Sequence, residues 1–350
     1  MRVPPRRRLR FENGQGPGGT DAFHGPGGES LSPSLQQAAL LGSAVVREVE
    51  KVFLGKEGVV THAVTALLAR GHVLLEDVPG AGKTVLARAL ARAIGGDFRR
   101  IQFTSDLLPS DITGVSTWSP RNESFSFHPG PIFAHVVLAD EVNRAGPRTQ
   151  SALLEAMSER QVSIDRETRP LPDPFLVIAT QNPHEHHGTY PLPESQMDRF
   201  LVRLTIGYPP REAERRIVEV NGYSDKVEDL VVPVTGPEAI LEAQRRVAEV
   251  SIPAPVMDYV MELVERTRRH EGLELGISTR GAVSLMSACR ARALLEGRDF
   301  VLADDVKAML LPTCAHRVVP RGRGVQGSLV REEASAVLSD LLARTPVPGD

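Results

Sequence analysis

Cysteine is nearly missing from this chain. Cys289 and Cys314 are the two present in 350 residues, too few for a disulfide framework or a zinc ribbon. A reducing cytoplasm is the setting that this usage fits. No apolar run approaches the ~18 residues that a membrane-spanning helix needs, and the N-terminal stretch lacks the apolar segment of a secretory signal. Charge of one sign is missing too: 41 basic against 44 acidic residues leave a formal −3. That balance gives no global field for collecting nucleic acid, and no nucleic-acid-binding module is recognisable. The length predicts two domains with a tail, since domains run roughly 100–200 residues each.

The tail is expected at residues 1–33. Pro4-Pro5-Arg6-Arg7-Arg8-Leu9-Arg10 precedes a Gly/Pro-rich run from Gly14 to Gly28. Such a segment buries too little apolar surface to offset its ordering entropy, so it reads as disordered. It is either a solvated tail or a basic anchor for an acidic partner.

Chemistry is concentrated in Leu74-Leu75-Glu76-Asp77-Val78-Pro79-Gly80-Ala81-Gly82-Lys83-Thr84. An apolar run precedes it, and the helical pattern Val85, Leu86, Ala89, Leu90 follows. Strand, glycine loop and helix are the context of a phosphate-binding loop. Gly80 and Gly82 let backbone N–H groups close around phosphate oxygens, and the helix N-terminus adds partial positive charge. Lys83 is then within reach of the β- and γ-phosphates, and Thr84 of a Mg²⁺ ion. Asp77 stands where the strict pattern has its first glycine.

The rest of the first half alternates strands with helices. Helices are expected over Leu35–Val49 and from Val59 to Gly71, and strands at His72–Leu75, Phe98–Phe103, Ala134–Ala139, Phe175–Thr180 and Leu201–Thr205. A further helix runs from Thr149 to Arg160. The stretch from Leu107 to Ile132 is broken by Pro109, Gly114, Pro120, Pro129 and Gly130, and reads as an insert carrying a hairpin strand, Ser124-Phe125-Ser126-Phe127. The pattern implies a doubly wound parallel sheet over residues 34–207, with ligands beyond the carboxyl ends of its strands. From 208 to 350 the pattern is wholly helical. Thr235-Gly236-Pro237-Glu238 reads as a capping box there, and Val283, Met286, Cys289, Ala293 and Leu294 as one inward helix face.

Several residues fall at expected strand ends. Asp140 would hold the Mg²⁺ shell, and Glu141 would polarise the attacking water. Asn182 offers an amide that can orient that water. A guanidinium near the γ-phosphate contributes ~10³–10⁵ in rate, and Arg199, in Asp198-Arg199-Phe200, and Arg280, at a lid helix start, are the candidates. Arg144, next to the Asp-Glu pair, either restrains Glu141 or lines a subunit interface. The loop before the first core helix, Leu54-Gly55-Lys56, is the expected place for the base.

Taken in order, these features resemble an AAA+ ATPase, and more narrowly the MoxR family. The carrying segments are Leu108-Pro109-Ser110-Asp111-Ile112-Thr113-Gly114, Asp140-Glu141-Val142-Asn143-Arg144-Ala145, Ala179-Thr180-Gln181-Asn182-Pro183 and Gly188-Thr189-Tyr190-Pro191-Leu192-Pro193-Glu194. The resemblance runs from about Leu35 to the C-terminus and implies an AAA+ core followed by a small all-helical lid. It implies nucleotide contacts from Pro79, Gly80, Ala81, Gly82, Lys83, Thr84, Val85 and Gly55, with Mg²⁺ on Thr84 and Asp140. It also implies a ring, usually a hexamer, in which Arg199 acts in trans as the finger and Arg280 in cis as the lid sensor. The insert, and the hairpin near Gln161–Arg169, would face the pore or a substrate. Partners implied are client proteins and von Willebrand factor A domain proteins, in chaperone-like activation of proteins or metal centres. The alternatives are a DNA-directed AAA+ motor, the ATPase subunit of a metal chelatase, and a small-molecule phosphotransferase. His184-Glu185-His186-His187 departs from the family pattern and reads as a solvated loop.

Overall fold

The computed structural model describes residues 31–77, 80–120, 123–165, 167–182, 189–219, 230–321 and 328–347. Pro79, the His184–His187 loop and most of the expected tail lie outside these residues. Order begins earlier than Ser34: Leu31 is buried, and Ser32 caps the first helix by accepting from Leu35 N.

In chain order the core comprises α1 (Pro33–Glu50), α2 (Glu57–Leu68), β1 (Val73–Glu76), α3 (Lys83–Ala93) and β2 (Phe98–Gln102). The insert follows as α4 (Pro109–Thr113) and the antiparallel pair β3 (Gly114–Ser119) and β4 (Ser124–Pro129). Then come β5 (Val136–Asp140), α5 (Pro147–Glu159), the hairpin β6 (Gln161–Ile164) and β7 (Glu167–Pro170), β8 (Leu176–Gln181), α6 (Glu194–Met197) and β9 (Val202–Leu204). The later part holds α7 (Arg211–Glu219), α8 (Pro237–Val247), α9 (Ala254–Arg269), β10 (Leu273–Leu275), α10 (Thr279–Leu295), α11 (Ala303–Cys314), β11 (Val319–Pro320) and α12 (Ser328–Arg344).

Five strands form one parallel sheet in the order β2-β5-β8-β1-β9. Their side chains alternate between two apolar layers, as period-2 geometry requires. Val73, Leu75, Val136, Leu138, Leu176, Ile178 and Val202 face the layer built by α1, α2, α3 and the later helices. Leu74, Ile101, Val137, Ala139, Val177 and Ala179 face the layer of α5, Ile112, Ile132 and Phe200. Both faces are covered, which is why these strands read as unbroken apolar runs.

The insert is held at its base by two glycines. Gly114 has φ +98°, a left-handed value that suits glycine, and a Cβ on Gly130 would collide with the Ile112 carbonyl. At the hairpin's far end Trp118 and Phe125 are exposed and meet edge to face at 5.2 Å.

Three details of the later part differ from expectation. It is not wholly helical, because β10 and β11 form a short antiparallel ribbon. The capping box at Thr235 does not form: Gly236 is the N-cap of α8 and provides no side-chain acceptor. Val283 points outward, 62% exposed, while Leu285, Met286, Cys289 and Leu294 are buried. The inward stripe of α10 runs on either side of Val283, so the residue adds nothing to the core. Both cysteines are buried free thiols, and burial pushes Cys314 up to about 12.

Two buried polar groups tie β1 to its neighbours at opposite ends. His72, before the strand, accepts from Val177 N through Nδ1 (3.0 Å) and lies 3.1 Å from Met157 O through Nε2. This network assigns the neutral tautomer with the proton on Nε2. Burial holds the imidazole down at about 4. Asp77, after the strand, accepts from the backbone N–H groups of Ile206 (2.6 Å) and Gly207 (2.5 Å) with one carboxylate oxygen.

Two predictions follow from these groups. The folded-state value of His72 lies below its unfolded 6.5, so the unfolded chain takes up the proton first as the pH falls. Stability held above pH 6.5 is therefore lost between 6.5 and 4, by about 2–3 kcal/mol at pH 4.5. Urea midpoints should fall over this range, with a shallower slope for His72→Gln; equal slopes would refute the assignment. For Asp77→Gly, which restores the strict loop pattern, loss of two charge-assisted hydrogen bonds should cost about 2–4 kcal/mol in urea unfolding. An unchanged midpoint would show that Asp77 is dispensable.

Candidate active site

The residues expected to bind nucleotide lie at the carboxyl ends of the strands. Gly80 and Gly82 have φ of +85° and +87°, and a Cβ at Gly80 would meet open space on a strained backbone. Gly82 is the N-cap of α3 with no side-chain acceptor, and no acidic residue stands in the first turn. The helix therefore presents N–H groups without a side-chain cap toward the loop, the donor set that a phosphate chain needs. Lys83 donates to the Asp77 carbonyl at 2.8 Å, which holds its ammonium over the loop. Ala81 and Thr84 are half-buried beside it, whereas Val85 is buried in the core.

Asp140 and Glu141 end β5 under constraint. Glu141 has φ +58°, an uncommon value for a residue with a Cβ, of the kind that clusters at functional sites. Thr180 fixes the turn: its hydroxyl donates to Asp140 Oδ1 (2.6 Å) and accepts from Glu141 N (2.9 Å). The other Asp140 oxygen pairs with Arg100 at 2.6 Å. Glu141 Oε2 accepts from Gln102 Nε2 (2.9 Å) and Arg144 Nη1 (3.0 Å). Both carboxylates are thus engaged by the protein's own donors. Asn182 follows β8 next to them. The hydroxyl of Thr84 and the carboxylate of Asp140 are hard oxygen donors of the kind Mg²⁺ takes, and fit that ion.

Gly55 lies in a separate cleft of about 780 Å³, between the start of α2, the end of β9 and α11, whose lining includes Lys56, His62, Ile206 and Pro312. Its combination of one backbone turn and apolar walls suits a planar base.

The arginines lie elsewhere. Leu201 N donates to His72 O at 2.9 Å, so the Asp198–Phe200 segment sits where β1 and β9 begin. Arg199 donates from Nη1 to Leu154 O at 2.9 Å and to Ser158 Oγ. Arg280 reaches Asp198 Oδ2 at 3.3 Å, with its side chain 65% exposed. Both line one cavity of about 250 Å³ with Arg70, Arg160 and Arg317. Four residues of β1, about 13 Å of strand, separate this edge from the phosphate loop. This corrects the expected arrangement for Arg280: a sensor reading its own subunit's nucleotide would stand at the opposite edge of the sheet.

Sequence reasoning missed the residues that hold these groups in place. Arg317 is 3% exposed and clamps the segment, donating to Asp198 Oδ1 (2.7 Å), Asp198 O (3.0 Å), Phe200 O (2.7 Å) and Leu201 O (3.1 Å). Asp198 thereby joins Arg317 and Arg280 through its two oxygens. Thr180, Gln102 and Arg100 were likewise not identified. Thr180 ends an expected strand and Gln102 stands one residue before the end of another, which was a usable signal; Arg317 had none.

Known proteins resemble this chain over most of its length. Residues 72–202 match the model of the ATPase family associated with various cellular activities (AAA), and residues 265–340 match the AAA lid domain. Protein YeaC of Bacillus subtilis is 48% identical over 85% of this chain and 94% of its own length. Chaperone MoxR1 of Mycobacterium tuberculosis is 40% identical over 87% of this chain and 85% of its own. A crystal structure described as a candidate ATPase from Cytophaga hutchinsonii superposes with a TM-score of 0.80 at 34% identity, covering 90% of this chain and 97% of that one. Likeness of this extent, over both the sheet and the helices that follow it, makes the chain a member of the MoxR family of AAA+ ATPases, which hydrolyse ATP.

Proposed function

We propose that this ATPase works as a closed ring of identical subunits, a hexamer by family analogy, with each nucleotide held between neighbours. One observation carries the reading: the phosphate loop and Glu141 stand at one edge of the parallel sheet, and Arg199 and Arg280 at the other. A residue on the far edge serves a neighbour's nucleotide when copies meet head to tail, and such contacts close into a ring where the rotation between copies closes. Arg280 is then a second cation acting in trans beside Arg199, and Arg317 fixes the spacing of the pair through Asp198.

In the resulting site the loop N–H groups and Lys83 bind the triphosphate. Mg²⁺, held by Thr84 and Asp140, supplies charge that neutralises the β- and γ-phosphate oxygens. Glu141 accepts the proton of the attacking water as its oxygen bonds to the γ-phosphorus and the β–γ bridging bond breaks. Asn182 orients that water, and the neighbour's arginines stabilise the charge on the departing group. Gln102 and Arg144 hold Glu141 away from this role until the interface forms. The mechanical output is directed at a protein client, by chaperone-like activation of a partner, such as a von Willebrand factor A domain protein, or of a metal centre. Similarity to Chaperone MoxR1 supports this reading, and the exposed aromatic tip of the insert offers apolar surface for it. The setting proposed is the cytoplasm; among the described residues no helix is long and apolar enough to cross a membrane.

The test is complementation in the full-length protein. Arg199→Ala and Glu141→Gln should each be nearly inactive, and mixing them should restore activity at about a quarter of the interfaces. Arg280→Ala should be rescued by Glu141→Gln in the same way. Turnover per subunit that is flat with concentration, together with no rescue in either mixture, would sink the ring reading. For Arg144→Ala, loss of an exposed pair worth about 0.2–1 kcal/mol should raise basal turnover about 1.4- to 5-fold. Steady-state ATP hydrolysis reads this directly, and an unchanged rate would remove Arg144 from the account.

A further inference from the structure

Glu76 is the last residue of β1, immediately ahead of the phosphate loop, and it is buried. Its two oxygens are divided between distant parts of the chain. Oε1 accepts from Gln181 Nε2 at the end of β8, the residue before Asn182. Oε2 pairs with Arg331 Nη1 of α12 at 2.6 Å and faces Arg203 Nη1 of β9 at 3.8 Å. One carboxylate thus joins three strand ends to a helix 255 residues further along the chain.

Two guanidiniums surround the Glu76 carboxylate. Burial draws Arg203 down, the Glu76 charge opposes this, and Arg331 adds to it. A buried ion pair is weak evidence for stability, because desolvation offsets most of the attraction. Its consequence is geometric: Arg331 and Arg203 hold one oxygen of Glu76, and the other oxygen holds Gln181. No other lid guanidinium among the described residues forms an ion pair with a residue of the strand ends at the nucleotide edge.

We propose that Arg331 is the positioning residue through which the lid of each subunit senses its own nucleotide. It acts through Glu76 and Gln181 on the setting of Asn182, and the same contact passes the nucleotide state to α12. The proposal rests on the ATPase reading above and gives the cis lid contact to Arg331, since Arg280 lies at the other edge.

The experiment uses full-length protein, with Arg331→Met, Arg331→Lys and Glu76→Gln measured beside Glu141→Gln. Expected for Arg331→Met is a fall in kcat of about tenfold with KM for ATP within about threefold, the pattern of a misplaced group and not of lost binding. Arg331→Lys should recover part of that loss. Amide exchange over residues 331–344 should respond to ADP in the native protein and not in Arg331→Met. Glu76→Gln keeps the side-chain shape and should reproduce the Arg331→Met pattern if that variant does not fold. Exchange that rises equally with and without ADP, at unchanged kcat, would mark a merely structural pair and overturn the proposal. An active Glu141→Gln would instead overturn the base role given to Glu141 in the proposed site, so the two failures are distinct.

Discussion

Strand β1 is the constraint on which the molecule depends. It lies between β8 and β9, is buried along its whole length, and cannot shift without exposing both apolar layers. Its ends are fastened by different chemistry: His72 to Val177 and Met157 at one, Asp77 to Ile206 and Gly207 at the other. Because every strand of the sheet runs the same way, all the carboxyl ends lie on one side. The polarity of a parallel sheet therefore separates the molecule into a nucleotide edge and an arginine edge. Neither edge carries both the phosphate loop and the arginine pair.

The nucleotide edge is held in a restrained form. Asp140 is bound by Thr180 and Arg100, and Glu141 by Gln102 and Arg144. Four side chains, from β2, β8 and the turn after β5, so occupy the two carboxylates. At the arginine edge, burial of Arg317 turns Asp198 into a bridge between core and lid. Both edges share one economy: a carboxylate accepts from two partners, so that moving either partner re-aims the other.

Much of this was legible in the chain. The phosphate loop, the Asp-Glu strand end and the Asn strand tip are each a short local stretch, and unbroken apolar runs placed them on strands. Asp77 looked like a defect in the loop, and its reason emerged only with β9 beside it. Val283 fits a helical stripe by spacing, yet nothing packs over it. Thr235 has the right residue three positions before Glu238, yet the chain turns into α8 one residue later, at Gly236.

The sequence by itself determined the strand and helix order, the glycine loop and the identity of the acidic pair, because each depends on residues a few positions apart. Only the tertiary structure decided which arginine meets which edge. Arg280 is 82 residues from Asp198 in number and 3.3 Å from it in space, while Arg331 is paired with Glu76 across 255 residues. Those pairings are set by how α10, α11 and α12 pack against the sheet, through burial that no local spacing encodes.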